Sequence, residues 1–273
     1  MTPQTPSVLT IAGSDSGGGA GIQADLKTFA AHGVHGLSAI TALTAQHTRG
    51  VTAVHVPDRE FLRAQIRACF EDFDVRVVKI GMLATAEVVQ TVAEELTLLQ
   101  PAHIVLDPVM VATSGATLLE DQALNALRTL LLPMASVVTP NIPESDWLTR
   151  YNIGSGENAD HAVQVLRKLS GNAAVLLKGG HLDEGDHVID RYCDQDGLVQ
   201  FRHPRIRANA HGTGCTLASA IAANLCNGMP MRQACEAAVE YVATALHLGY
   251  QPGRSDIVVL HHVRAGTALK RIA

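Results

Sequence analysis

Ser7-Val8-Leu9-Thr10-Ile11-Ala12-Gly13-Ser14-Asp15-Ser16-Gly17-Gly18-Gly19-Ala20-Gly21 is the stretch that decides the fold class. Its first six residues, apolar and β-branched, read as a strand over Ser7–Ala12. Glycines follow at once, and the pattern from Ala20 to His32 is helical. Sheets in α/β proteins bind ligands outside the carboxyl ends of their strands, so a glycine cluster in this place is also a candidate site.

The alternation continues along the chain. Extended segments are expected at Gly36–Leu43, Val51–Val56, Val75–Ile80, His103–Leu106, Ser136–Thr139 and Ala173–Leu177. Helical spacing covers Asp58–Phe73, through Phe61, Ile66 and Phe70, and the segments around 85–99, 120–132, 142–151 and 158–170. Strands apolar on both faces, separated by helices, predict a mostly parallel sheet covered on both sides. After Gly180 the pattern changes. His187–Cys193 and Leu198–His203 flank Asp194-Gln195-Asp196-Gly197, a hairpin signal. Two adjacent helices follow, with Gly228 as the stop of the first and Pro230 near the start of the second. No repeat, low-complexity tract or linker divides residues 1–273, so one domain is expected.

At 47% hydrophobic and 17% charged, the chain has the composition of a globular protein with a large core. The net charge of −5 and the lack of a Lys/Arg cluster argue against nucleic acid as a partner. Residues 1–6 lack the features of a signal peptide, and the apolar runs are too short for a membrane span. The five cysteines include no Cys-x-x-Cys pair and suit reduced thiols in the cytoplasm. His261 and His262, being adjacent, cannot face one metal and are expected at a chain end or on the surface.

A second glycine cluster, His211-Gly212-Thr213-Gly214-Cys215, opens an apolar run reaching Cys226. A helix that starts in small residues offers uncovered N–H groups and the positive end of its dipole, which suits an anion. The same helix end is expected to lower the Cys215 pKa and favour the thiolate. The first cluster loosely fits the dinucleotide pattern through Gly19, Gly21 and Ala24. That pattern also expects an acid about twenty residues on, and no Asp or Glu occurs from Leu26 to Pro57.

Further candidates stand at element ends. Asp25, on the first helix, either faces the same pocket or favours the helix's positive half. Gln46 offers one acceptor and two donors, a complement to an aminopyrimidine edge, or simply bonds the backbone. Asp107 closes a strand as a candidate Mg²⁺ ligand. Asn141 and Glu144 have capping-box spacing, and the carboxylate also suits water-mediated Mg²⁺ binding. Lys178, before Gly179 and Gly180, brings a mobile charge to where phosphates would approach. Anion-binding amides, a cation, acids for a metal and a proton acceptor together suit phosphoryl transfer.

The run from Gly13 to Lys27 closely resembles the N-terminal signature of hydroxymethylpyrimidine/phosphomethylpyrimidine kinases, a ribokinase-like family. Further matches occur in family order: Thr41–Gln46, Lys79–Leu83, Leu106–Met110, Thr139–Asn141 with Glu144, Lys178–His181 and His211–Cys215. The resemblance covers about residues 7 to 263. It implies an α/β/α sandwich with a central sheet of about eight to ten strands, and a homodimer. It also implies ATP-dependent phosphorylation of 4-amino-5-hydroxymethyl-2-methylpyrimidine and then of its monophosphate, in thiamine diphosphate biosynthesis. On that reading Gln46 bonds the aminopyrimidine, with Gly13, Asp25, Met82 and Val109 around it. Asn141, Lys178 and Thr213 meet ATP, and Asp107 and Glu144 act on Mg²⁺. Gly212, Thr213 and Gly214 form the anion hole, and Cys215 takes the hydroxymethyl proton.

Three rival readings remain open at this point. A pyridoxal kinase of the same fold is the nearest, with Gln46 and Met82 favouring the aminopyrimidine. An NADP-dependent oxidoreductase would leave residues 211–215 unexplained, and a silent pyrimidine sensor would not need Asp107, Glu144, Lys178 and Cys215 together.

Overall fold

The structure, a computed structural model, describes residues 5–110 and 121–269. The strands are β1 (Ser7–Asp15), β2 (His35–His47), β3 (Gly50–His55), β4 (Val75–Ile80), β5 (His103–Leu106), β6 (Val137–Val138), β7 (Ala174–Leu177), β8 (His187–Asp194) and β9 (Gly197–Pro204). They form one nine-stranded sheet in the order β3-β2-β1-β4-β5-β6-β7-β8-β9. Pairing is parallel from β2 across to β7 and antiparallel for β2–β3, β7–β8 and β8–β9. Two further short strands, β10 (Ala210–His211) and β11 (Val258–Val259), pair in parallel apart from the sheet.

The helices are α1 (Gly21–Ala31), α2 (Arg59–Asp72), α3 (Ala86–Leu99), α4 (Asp121–Ala126), α5 (Ile142–Thr149), α6 (Gly156–Leu169), α7 (Thr213–Cys226), α8 (Met231–His247) and α9 (His262–Leu269). Among the described residues none is long and apolar enough to cross a membrane.

Strand side chains alternate between two apolar layers. Leu9, Ile11, Val78, Ile80, Ile104 and Leu106 face α2, α3 and α6. Val8, Val77, Val105, Val137 and Leu176 face α1, α7 and α8. This double burial explains the unbroken apolar runs, since each such side chain contributes about 1.5–3 kcal/mol when removed from water. Helix α7 is buried at every position from Thr216 to Cys226, which accounts for its lack of charged residues.

Several boundaries differ from the sequence reading. Strand β1 runs on through Asp15, with a register shift against β2 between Ala12 and Ser14. Strand β2 extends to His47 and turns back directly into β3, so Gln46 lies within a strand. That hairpin turns without an Asn-Gly or Asp-Gly pair and gave no turn signal. Phe61, read as part of the α2 core face, is 59% exposed; Leu62 and Ile66, one turn apart, are buried instead. In the region expected to be helical over 120–132, residue 120 lies outside the described residues. Helix α4 there loosens into a wide turn over Leu127–Leu131 and a tight one over Leu132–Met134, where Pro133 lacks the N–H a helix needs.

Candidate active site

The sheet ladder continues one rung past the parallel strands and sets the site residues at one level. Gly81 N–H donates to the Ile11 carbonyl at 3.0 Å, Asp107 N–H to Ile80 and Thr139 N–H to Leu106, both at 2.9 Å, and Lys178 N–H to Pro140 at 2.9 Å. The side chains that follow these strands therefore converge at the carboxyl edge. There they line a cavity of about 580 Å³, within the usual range for a small-molecule site.

One wall is the glycine loop after β1. The Asp15 carboxylate gathers it, accepting N–H bonds from Gly17 at 2.8 Å and from Gly19 and Ala20 at 2.9 Å. Burial works against this charge, but the His211 contact and the loop amides outweigh it and hold the Asp15 carboxyl below its ordinary value. From α1, Gln23 accepts the Asp15 N–H and donates to Ser14 Oγ, each at 2.8 Å. Gly21 sits at φ +55, where a Cβ would overlap the Gly13 carbonyl. The cluster thus packs backbone on backbone, which explains its composition without a dinucleotide.

The opposite rim is the start of α7. Gly212, at φ +86, turns the chain into the helix, and no side chain caps the first amides. Thr213, Gly214 and Cys215 line the cavity with Gly212. Behind them, Thr216 Oγ1 donates to the Gly212 carbonyl at 2.8 Å and lies 3.0 Å from His262 Nε2. His262 is 4% exposed, so it does not cover a surface. Burial pulls its pKa down to about 4, with Lys27 and His261 adding to the effect, so it is neutral.

Charge concentrates at the floor. Lys178 Nζ donates to Asp107 Oδ1 at 3.0 Å and stands 3.6 Å from Glu144 Oε2. Thr139 Oγ1 donates to the same Asp107 oxygen at 3.3 Å. Burial disfavours the ammonium, but Asp107 and Glu144 outweigh it and raise the Lys178 pKa above the ordinary lysine value. Asn141 and Glu144 form the expected capping box: Glu144 N–H donates to Asn141 Oδ1 at 2.8 Å, and Asn141 N–H to Glu144 Oε2 at 2.7 Å. Burial pushes the Glu144 carboxyl up against the pull of Lys178, with Asp107 adding to the rise, and the balance stands at about 7.

Across the cavity stand Gln46, Gly13, Met82 and Val109. Met82 packs on Gly13, whose missing Cβ would lie 3.1 Å from the Met82 sulfur. Gln46 Nε2 is 2.9 Å from His211 Nε2, and Thr44 Oγ1 donates to Gln46 Oε1 at 3.0 Å. Gln46 therefore keeps one N–H and one oxygen lone pair unspent.

Asp25 is not placed beside these residues. It is fully buried below the cavity, paired with Lys79 Nζ at 3.0 and 3.1 Å. Thr10 Oγ1 and Ser219 Oγ each donate to it at 2.7 Å. Its oxygens are filled by these partners, so neither expected role describes it; Asp25 is the counter-ion of a buried lysine. Breaking a buried pair of this kind costs about 3–5 kcal/mol.

Cys215 requires a second correction. Burial pushes its thiol up to about 11, despite the pull of Lys79, with Asp25 and Asp107 adding to the rise. The helix end does not produce a standing thiolate, because desolvation of the sulfur outweighs the dipole.

Of the cavity residues, Trp147 carried no sequence signal, while Asp15, Thr44, Lys79 and His181 lay inside the matched stretches without being singled out. Lys79 sits mid-strand in an apolar run, and a lysine there is explained only by a carboxylate from another element.

Among the described residues no group of three or more His, Cys, Asp or Glu could hold a metal. Mg²⁺ takes oxygen ligands, usually one or two carboxylates with the rest water and phosphate. Asp107 and Glu144 fit a cation delivered with a polyphosphate.

The phosphomethylpyrimidine kinase family model matches residues 15–259. A hydroxymethylpyrimidine/phosphomethylpyrimidine kinase of Rhizobium meliloti is 50% identical, over 89% of this chain and 91% of that one. A thiamine biosynthesis bifunctional protein of Geobacter sulfurreducens is 48% identical over 95% of this chain, which spans 53% of that relative's length. The ADP complex of Bacillus subtilis pyridoxal kinase superposes with a TM-score of 0.87 at 29% identity, covering 98% of this chain and 100% of that one.

Proposed function

The chain belongs to the phosphomethylpyrimidine kinase family, and from that premise we propose that it moves the γ-phosphoryl group of ATP onto 4-amino-5-hydroxymethyl-2-methylpyrimidine and then onto the monophosphate. One observation carries the reading: Lys178, between Asp107 and Glu144, faces the uncapped start of α7 in a cavity whose other wall is Gln46.

Phosphoryl transfer asks a protein mainly for position and charge. The remaining N–H and oxygen lone pair of Gln46 hold the ring edge, with Met82, Gly13 and Val109 around it. On this reading the hydroxymethyl oxygen points towards α7. The Gly212–Cys215 amides receive charge on the equatorial oxygens of the moving group, and Lys178 receives it on the phosphate chain with Asn141 and Thr213 nearby. A new bond forms from the substrate oxygen to Pγ as the bond from Pγ to the bridging oxygen of ADP breaks. Mg²⁺, when bound through Asp107 and Glu144 and their waters, would neutralise the leaving diphosphate. The hydroxyl proton passes to Cys215 late, in the fraction of molecules whose thiol is ionised.

The test is a mass-resolved product assay with Mg-ATP and hydroxymethylpyrimidine, run beside pyridoxal. Monophosphate followed by diphosphate supports the reading; pyridoxal phosphate alone replaces it with the second reading, which the Bacillus subtilis likeness favours.

Two variants examine single roles. Gln46→Ala is expected to raise the KM for the pyrimidine about tenfold, the worth of one or two hydrogen bonds, with little change in the KM for ATP. Equal rises in both would make Gln46 a structural residue. For Cys215, a thiol near 11 is more ionised as pH rises. If the thiolate takes the proton, turnover climbs about tenfold per unit between pH 7 and 9. Cys215→Ala should lose about a hundredfold at pH 8 and flatten that slope. A wild-type profile without slope removes Cys215 from proton transfer.

A further inference from the structure

His211 meets three groups around the cavity. Its Nε2 lies 2.9 Å from Gln46 Nε2 and 3.4 Å from Asp15 Oδ2, and its ring packs beside Gly19. Asp15 Oδ2 also accepts the Gly19 and Ala20 amides, and at 3.4 Å it is the more distant partner of His211 Nε2; Gln46 Nε2, which can only donate, is the nearer at 2.9 Å. Gln46 is held from its other end by Thr44 at 3.0 Å.

An amide can turn end for end, exchanging its oxygen and nitrogen in nearly the same volume. Thr44 cannot choose between the two senses, because a hydroxyl is both donor and acceptor. In one sense its hydrogen goes to Gln46 Oε1. In the other that hydrogen goes to the Ser14 carbonyl, 2.9 Å away, and its lone pair meets a Gln46 N–H. His211 does choose. A bare Nε2 accepts an N–H and repels the amide oxygen, whereas a protonated Nε2 demands the oxygen.

We propose that His211 is a specificity-determining residue: by accepting a Gln46 N–H at Nε2, it fixes the order of donor and acceptor that Gln46 offers a planar ring. A ring edge that places an acceptor nitrogen beside an amino donor pairs with an amide in one sense only, and the reverse sense sets donor against donor. The inference rests on the reading that Gln46 faces the ring substrate. It goes further in assigning the orientation to a residue 165 positions away in sequence.

The experiment measures KM for hydroxymethylpyrimidine and for ATP separately in the wild type, His211→Leu and His211→Gln, with kcat/KM for pyridoxal alongside. Leucine fills much of the space without an acceptor; glutamine returns an amide oxygen near the former Nε2. Expected for His211→Leu is a rise of about tenfold in the pyrimidine KM, with the KM for ATP changed less than about twofold and the preference over pyridoxal reduced. His211→Gln should recover most of both losses. Should the leucine variant not fold, His211→Asn, too short to reach Gln46, takes its place against the glutamine variant. The inference is overturned if both KM values rise together, if leucine and glutamine behave alike, or if leucine leaves the pyrimidine KM unchanged. Titration of the wild type with hydroxymethylpyrimidine separates the two levels. No binding removes the kinase reading and this inference with it, whereas normal binding that is indifferent to residue 211 removes this inference alone.

Discussion

Lys178→Ala is expected to lower turnover about a thousandfold, the upper range for losing one preorganised charge at a phosphoryl or oxyanion site. Among the described residues the ammonium is the one basic group set between Asp107 and Glu144 at the cavity floor, 3.0 and 3.6 Å away. Without it two buried carboxylates face one another, and the incoming polyphosphate meets net negative charge. Arginine should not restore the rate. A Cβ added at Gly214 would already lie 3.2 Å from Lys178 Nζ, which shows how tightly the ammonium fits against α7. Single-turnover kinetics with saturating ATP, together with the melting temperature, separates the roles. A thousandfold slower chemical step in a folded protein fits the proposal. A loss under tenfold would make Lys178 a counter-ion holding Asp107 and Glu144 in place.

Gly212→Ala is the second large effect. At φ +86 an alanine carries a backbone penalty of about 1–2 kcal/mol. Its Cβ would also overlap the carbonyl of Gly19, which belongs to the opposite wall. Neither wall yields easily: Asp15 ties down the Gly19 and Ala20 amides, and Thr216 ties down the Gly212 carbonyl. The variant should be about 2–4 kcal/mol less stable, as for other strained backbone substitutions, and about a hundred- to a thousandfold slower because the amides shift. Chemical denaturation and kcat check the two parts. Full activity with lowered stability would separate the anion hole from this turn.

How far the sequence carried can be judged residue by residue. The strand-glycine-helix run placed β1 and α1, and the apolar runs placed the parallel strands, because both faces of the sheet are buried. The capping box at Asn141 and Glu144 was readable because it is local, spanning three residues. The β2–β3 hairpin was not, since it lacks a glycine-bearing turn pair, nor was β10–β11, since two-residue strands have no period. Among site residues, Asp107, Lys178 and residues 212–215 could be named from their positions at element ends. Asp25 and Lys79 could not be paired, because what decides their roles is a buried contact between α1 and β4. The acidity of Cys215 was misjudged for the same reason: dipole direction is visible in sequence, whereas desolvation is a property of the finished packing.

The contacts between distant parts of the chain have a consequence for the order of folding. Gln46 meets His211 across 165 residues, and Ser219 meets Asp25 across 194. Closing loops of that length is slow compared with forming helices. The cavity can therefore exist only after α7 has docked beneath β1, near the end of assembly. During refolding, helical signal should return first and catalysis last. A chain still lacking its final third, as during synthesis, holds the first glycine loop, Gln46 and Lys178 but not the α7 amides that complete the proposed phosphate site.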